Sequence, residues 1–408
     1  MPGIFPKNLV TGLCYFVLGG LPFYYFLRNY SEVSVYLYSA FLLALMIEMF
    51  IVDLKNKINN HFQFDRFAIL ELLIAINALI LFLAFNFIDR ALVLLFVALY
   101  ISKNIFFFSS VKDFVNGANM IVLSGVFGSV GIILGFIEVL VGDTHFLSEV
   151  MTFDYPYSNG IGNTTLINGF FASANGSAYC IGAGIAFLKY QNLFNLKLKQ
   201  FLYIIFMAAL AVTKTKFAVL LLASFIVLTV LKSRPARNSI AALLALAFSY
   251  IFLSHFIIAP SGSYDYPSIH FRKIIFSIQN IDLVLGNYGM YKLYVLDAIE
   301  SNLLLPFGQS YFQEVYGGRP HFMLGGLIVT GGLGVASLVS LYVFFIFKAN
   351  GRQFLDGIKD NKIYLIVLFA FMVETVNWNF SNSFYFWSLI FGVTAVNKIS
   401  EIAGREFN

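Results

Sequence analysis

Charge is what this sequence has least of. Only 12% of its 408 residues are Asp, Glu, Lys or Arg, too few to clothe a water-soluble chain of that length. Cysteine is almost absent as well. Cys14 and Cys180 lie far apart in apolar runs, which excludes a disulfide framework and suits small packing residues. No GxxxxGK[ST] loop, HExxH, CxxC pair or GxSxG elbow occurs, so P-loop nucleotide binding, zinc-peptidase chemistry and serine-hydrolase chemistry have no foothold. Long repeats and low-complexity linkers are missing too, and residues 1–408 read as a single transmembrane domain. The net charge of +5 is spread thinly between apolar runs rather than gathered in a patch, which argues against a nucleic-acid partner.

What is abundant is apolar surface. Hydrophobic residues make up 59% of the chain, with 48 Phe and 23 Tyr, and the mean hydropathy is +0.81. A span needs about twenty mostly apolar residues to cross roughly 30 Å of hydrocarbon. Such runs fall near 9–28, 33–52, 67–88, 91–108, 118–141, 165–188, 200–213, 217–231, 238–258, 322–347, 363–379 and 384–397. The expected fold is therefore an all-α polytopic membrane protein with about twelve transmembrane helices. The first run follows only Lys7, and no small-residue cleavage site closes it, so it is expected to stay as an anchor.

Orientation follows from the Lys and Arg residues between runs. With both termini cytoplasmic, eighteen of the 26 fall inside, among them Lys7, Arg66, Lys103, Lys189, Arg234 and Arg352. The outer side keeps Arg28, Arg90, Lys214, Lys216, Arg272, Lys273, Lys292 and Arg319. One helix more or fewer would invert everything beyond it, so the asymmetry supports count and direction together. The segment 259–321, between the ninth and tenth spans, then becomes one long outer loop.

Positive charge on the disfavoured side, at the mouth of a helix, invites an anionic partner. Lys214 and Lys216 sit in a turn so tight that it must lie at the membrane edge; they are either snorkelling lysines or anion contacts. A second outer loop, from about Gly142 to Leu166, leads into Asn168-Gly169-Phe170-Phe171-Ala172-Ser173-Ala174-Asn175-Gly176. Its small residues permit close helix packing, while Asn168 and Asn175 offer hydrogen bonds to a sugar or phosphate in a cavity just outside the bilayer. In the long loop, Tyr291 to Leu305 suits a short helix on the membrane surface, and the loop ends in Arg319-Pro320-His321. Imidazole titrates near neutrality while guanidinium stays charged, so the two together can move a proton beside a bound anion. His145, His255 and His270 compete for that role. Glu48, Glu71 and Glu374 lie within apolar runs, each either a relay for protons or substrate or a hydrogen-bonded structural acid.

Arg272, Arg319, His321, Lys214 and Lys216 fall on one predicted face. Together with Phe271-Arg272-Lys273, Leu285-Gly286-Asn287-Tyr288-Gly289, the His321 that precedes a Gly-rich helix, the Gly169–Asn175 element and the Thr213–Lys216 turn, the pattern resembles the O-antigen polymerase and O-antigen ligase superfamily. The likeness spans about residues 165 to 345, in order. It departs from the family at Phe322, where Asn, Ser or Gln often follows the His, and in the basic turn, where Lys replaces the frequent Arg. A point charge there specifies phosphate geometry less well than a bidentate fork.

The resemblance implies a GT-C-type glycosyltransferase of the bacterial inner membrane with a periplasmic active site, working without a metal or other cofactor. Its donor is an undecaprenyl-diphosphate-linked oligosaccharide. The acceptor is the terminal sugar of another lipid-linked repeat unit for a polymerase, or the lipid A core for a ligase. It implies catalytic roles for His321, toward the acceptor hydroxyl, and for Arg272, with Arg319 as a second diphosphate clamp. Lys214, Lys216, Asn175 and Tyr288 complete the substrate-binding set. A chain-length regulator is a further candidate partner. A polysaccharide or lipid transporter, coupled through Glu48, Glu71 or Glu374, is the reading from another class.

Overall fold

The computed structural model describes residues 12–22, 31–59, 66–85, 90–106, 111–141, 149–153, 164–171, 174–213, 218, 221–222, 300, 308, 312, 314–315, 323–360 and 384–392. These are mostly helical. Four helical stretches are long and apolar enough to cross a membrane: Glu32–Val52, Val111–Glu138, Leu196–Thr213 and Met323–Phe345. They answer to four of the twelve expected spans. The first expected span contains a π-helical turn, Tyr15–Gly19.

The remaining elements, in order, are α1 (Glu32–Asn59), α2 (Arg66–Phe85), α3 (Arg90–Phe106), α4 (Val111–Val141), β1 (Glu149–Phe153), β2 (Thr164–Gly169), α5 (Ala174–Phe187), α6 (Leu196–Thr213) and α7 (Met323–Asp360). A helical segment, 384–392, follows. Large apolar side chains stand exposed along α1 and α2, including Tyr36, Leu43, Phe50, Leu72 and Leu83. In water such a surface would drive association; against lipid it costs nothing.

The heart of the bundle is a hairpin of α4 and α5 with α6 laid across it. Between apolar helices in lipid, close van der Waals packing does most of the holding, and small residues permit it. A Cβ on Gly125 would stand 3.0 Å from the Cα of Gly184 and 3.2 Å from the Phe206 ring, so the two glycines let α4 and α5 touch while Phe206 of α6 covers the contact. Farther along the hairpin, Gly128 faces Cys180, and at its other end the Phe114 and Phe187 rings meet at 6.1 Å. The two helices are thus antiparallel. Asn195 starts α6, its side chain accepting the N–H of Leu198 at 3.0 Å, the usual service of an N-cap.

One expected span is not a continuous helix. The run 165–188 divides into β2 and the 14-residue α5, and β2 pairs with β1 as an antiparallel hairpin. The sequence supports the break: Thr164, Thr165 and Ile167 are β-branched, and Gly169 takes φ 61°, a value that a side chain disfavours. Gly169 also presses on the backbone of Gly131 and Ile132, where a Cβ would come within 2.9 Å. The described residues are mostly helical, consistent with the expected all-α membrane protein, with this two-stranded hairpin as a small addition.

The span expected at 322–347 is present as α7, but it is broken. Gly332 has φ 72° and ψ −178° inside it, a conformation open in practice only to glycine. Before the break, the Thr330 hydroxyl donates back to the Gly326 carbonyl at 2.8 Å. Beyond it, Gly334 lies against Asn77 of α2, and Tyr342 reaches Glu71 of the same helix. Moving forward on α7 means moving backward on α2, so these two helices are also antiparallel.

Candidate functional site

Of the seven expected site residues, only Asn175 lies among the described ones. It occupies the first turn of α5 and is half-buried. His321, Arg272, Arg319, Lys214, Lys216 and Tyr288 lie outside the described residues. So do His145, His255, His270 and Glu374.

The surroundings of Asn175 follow from the hairpin. In the pairing of β1 with β2, Val150 faces Ile167 and Glu149 faces Gly169, which leaves Asn168 as the extra residue of a bulge. Bulges commonly re-aim a side chain. The Asn168 carbonyl accepts the Ser177 hydroxyl and the Phe171 N–H at 3.3 Å, binding the strand end to the first turn of α5. Asn168 is 1% exposed, and neither its Oδ1 nor its Nδ2 has a hydrogen-bond partner among the described residues. The Asn168 carboxamide is enclosed. Asn175, partly open, is better placed to meet a ligand.

The level of this turn relative to α6 can be read from two contacts. Gly184 faces Phe206, and the Lys199 ammonium donates to the Gln191 carbonyl at 2.8 Å. The two antiparallel helices therefore stay in one register, which puts Ser177 at about the level of Thr213, the last residue of α6. Thr213 is buried, its hydroxyl turned back to the Leu210 carbonyl at 2.8 Å. Lys214 and Lys216 follow it directly in the sequence. The Asn175 turn and the segment that leads into the basic turn thus belong to one end of the bundle.

A second polar centre was legible only in part. Lys103, counted by sequence among the inner-side charges at the end of the expected span 91–108, is held within α3 with 2% of its side chain exposed, paired to Glu71 of α2 at 8%. The second carboxylate oxygen of Glu71 accepts the Tyr342 hydroxyl at 2.9 Å, and the Lys103 ammonium lies 5.4 Å from the centre of the Tyr100 ring. Glu71 thus joins three helices, with both oxygens engaged. Beside it, Tyr342 packs edge-on against Trp387 at 6.4 Å and Phe391 at 5.9 Å, and Ser102 stands 3.3 Å from Ser388. Glu48 of α1 differs: it is 3% exposed, and its Oε2 has no hydrogen-bond partner among the described residues.

The long polar segment before α7 also reaches the bundle. The Gly308 N–H donates to the Val329 carbonyl at 2.8 Å, and the Phe312 N–H returns to the Gly308 carbonyl at 3.1 Å. Phe312 is fully buried within the apolar core. Gly308 and Phe312, near the end of the segment 259–321 expected as an outer loop, are therefore fastened inside the bundle. The Gly331-Gly332 pair and the Pro306-Phe307-Gly308 sequence are the signals that could have announced this meeting.

No protein-family model, curated protein or solved structure matches the chain.

Proposed function

We propose that this protein is a surface-polysaccharide polymerase: a glycosyltransferase that moves an undecaprenyl-diphosphate-linked glycan onto the terminal sugar of another lipid-linked repeat unit at the periplasmic face of the bacterial inner membrane. The observation that carries the reading is the fastening of the long polar segment to α7. Phe312 is buried and Met323 is 6% exposed, and Arg319-Pro320-His321 lies between them in sequence. A short tether between two buried anchors suits a reacting group that must be held in place rather than carried on a free loop.

The chemistry follows from the charge that develops. Departure of the lipid diphosphate builds negative charge, which Arg272 and Arg319 stabilise, with Lys214 and Lys216 widening the cationic surface. His321 orients the acceptor hydroxyl and takes its proton. Asn175, partly open at the start of α5, donates to an oxygen of the donor, and Tyr288 contacts the same glycan. Lipopolysaccharide from a deletion strain tests the acceptor: one repeat capping the core supports a polymerase, whereas bare core with accumulating lipid-linked polymer points to the ligase.

The transporter reading asks for a membrane carboxylate free to change partners. Glu71 is engaged at both oxygens, which favours an anchoring role for it. Replacing His321→Ala and Glu374→Gln separately sets the two readings apart. Loss of a general base typically costs about 10²- to 10⁴-fold in rate, so long-chain polysaccharide should vanish in the His321 variant and persist in the Glu374 variant. The reverse outcome favours transport.

A further inference from the structure

A continuous α-helix would give the Val329 carbonyl to the N–H of Leu333, four residues on. In α7 that path crosses Gly332, whose φ of 72° and ψ of −178° turn the chain out of the helix. The Val329 carbonyl instead accepts the Gly308 N–H at 2.8 Å. Gly308 is itself in a positive-φ conformation, at 76°, and buried. Two glycines, each in a backbone state that a side chain resists, therefore meet at one hydrogen bond.

On either side of this joint, α7 is held by different partners. Past the break, Gly334 rests on Asn77 and Tyr342 bonds to Glu71. Ahead of it, the described contacts of the long segment are the Gly308 bond and the buried Phe312. Irregular backbone at membrane depth persists only where protein or a cavity satisfies its polar groups. Here the satisfying group comes from a segment remote in sequence.

We propose that Gly308 and Gly332 are positioning residues: the break at Gly332 frees the Val329 carbonyl to hold Gly308, and this keys the end of the long segment into the bundle just ahead of Arg319 and His321. The joint itself stands independently of the reaction; its effect on turnover rests on the transferase reading above. An alanine at 332 cannot take the observed backbone angles without strain. A proline at 308 lacks the N–H and fixes φ near −65°, so both changes release the same bond from opposite sides.

The test is amide hydrogen exchange on the full-length protein in lipid nanodiscs, read at Phe312, with the α4 amides as an internal control. In the wild type, the Phe312 amide should exchange slowly. In Gly332→Ala and in Gly308→Pro it should exchange about tenfold faster or more, with α4 unchanged. In a glycan-transfer assay with lipid-linked repeat units, kcat should fall about tenfold while KM stays within about twofold, since positioning is lost and binding is not. Rapid Phe312 exchange in the wild type overturns the joint, as does equal loosening of α4 in both variants. If either variant fails to accumulate, the other and the wild-type measurement decide. Exchange that responds as expected in a wild type that transfers no glycan leaves the joint standing and removes the transferase reading. Unchanged kcat in both variants of an active enzyme removes the positioning role.

Discussion

Among the described residues, two carboxylates lie buried in the helical bundle, and they are treated differently. Glu71 spends one oxygen on Lys103 and the other on Tyr342, so its charge is matched and its lone pairs are engaged. Glu48 is as deeply enclosed, yet one of its oxygens has no partner among the described residues. Burying charge is tolerable only when the remaining polar capacity is met. The contrast therefore sets an acid that ties three helices together against one with a carboxylate oxygen that no described group meets.

The comparison breaks most sharply at Lys103. Changing Lys103→Met leaves Glu71 charged and enclosed, and removal of one partner of a buried pair typically costs about 3–5 kcal/mol. We expect a large fall in the thermal midpoint of the detergent-solubilised protein, or loss of the monodisperse peak in size-exclusion chromatography. Adding Glu71→Gln to that variant should restore most of the loss, because a neutral amide does not need the ammonium. A double variant no better than the single one would mean that Lys103 contributes through packing rather than charge. Next in size is Tyr342→Phe, which keeps the ring against Trp387 and Phe391 but removes the hydroxyl from Glu71. A hydrogen bond to a charged group is worth about 1.5–3 kcal/mol, so the midpoint should drop visibly but less than for Lys103→Met.

What could be read ahead of the structure divides along the same physical line. Apolar runs announce themselves by composition alone, since crossing hydrocarbon leaves few alternatives; α1, α4, α6 and α7 all fall where expected. Breaks within those runs were harder. The run 165–188 is apolar on average, yet a strand that begins at Thr164 ends inside it at the Gly169 turn, and hydropathy averaged over twenty residues is blind to a six-residue strand. Gly332 was hidden in the same way, because Thr-Gly-Gly-Leu-Gly reads equally well as a helix-packing face. Lys103 counts by sequence as an inner-side charge within the expected span 91–108, and the position of Glu71 on a neighbouring helix is what makes its burial tolerable. The expected cationic site rests on residues outside the described ones, apart from Asn175. Its order along the chain is an expectation from the sequence, and the geometry of such a site would depend on long-range contacts that no local pattern encodes.

The smallest expected effect belongs to Glu48, and it is the one that tests whether engagement rather than burial decides what an acid does here. Glu48→Gln retains the shape and the capacity to hydrogen-bond while removing any charge. If Glu48 bears no structural load, the midpoint should move by less than about 0.5 kcal/mol equivalent, or rise slightly, as replacing a poorly satisfied buried acid can be neutral or stabilising. Glu71→Gln measured in the same way should be destabilising, because it strands the Lys103 ammonium. Equal losses from the two would show that Glu48 is engaged more strongly than its hydrogen bonds suggest. A Glu48 variant with an unchanged midpoint but no polysaccharide would instead return that acid to the transport reading, since only a carboxylate that works by changing partners would be needed for activity and not for the fold.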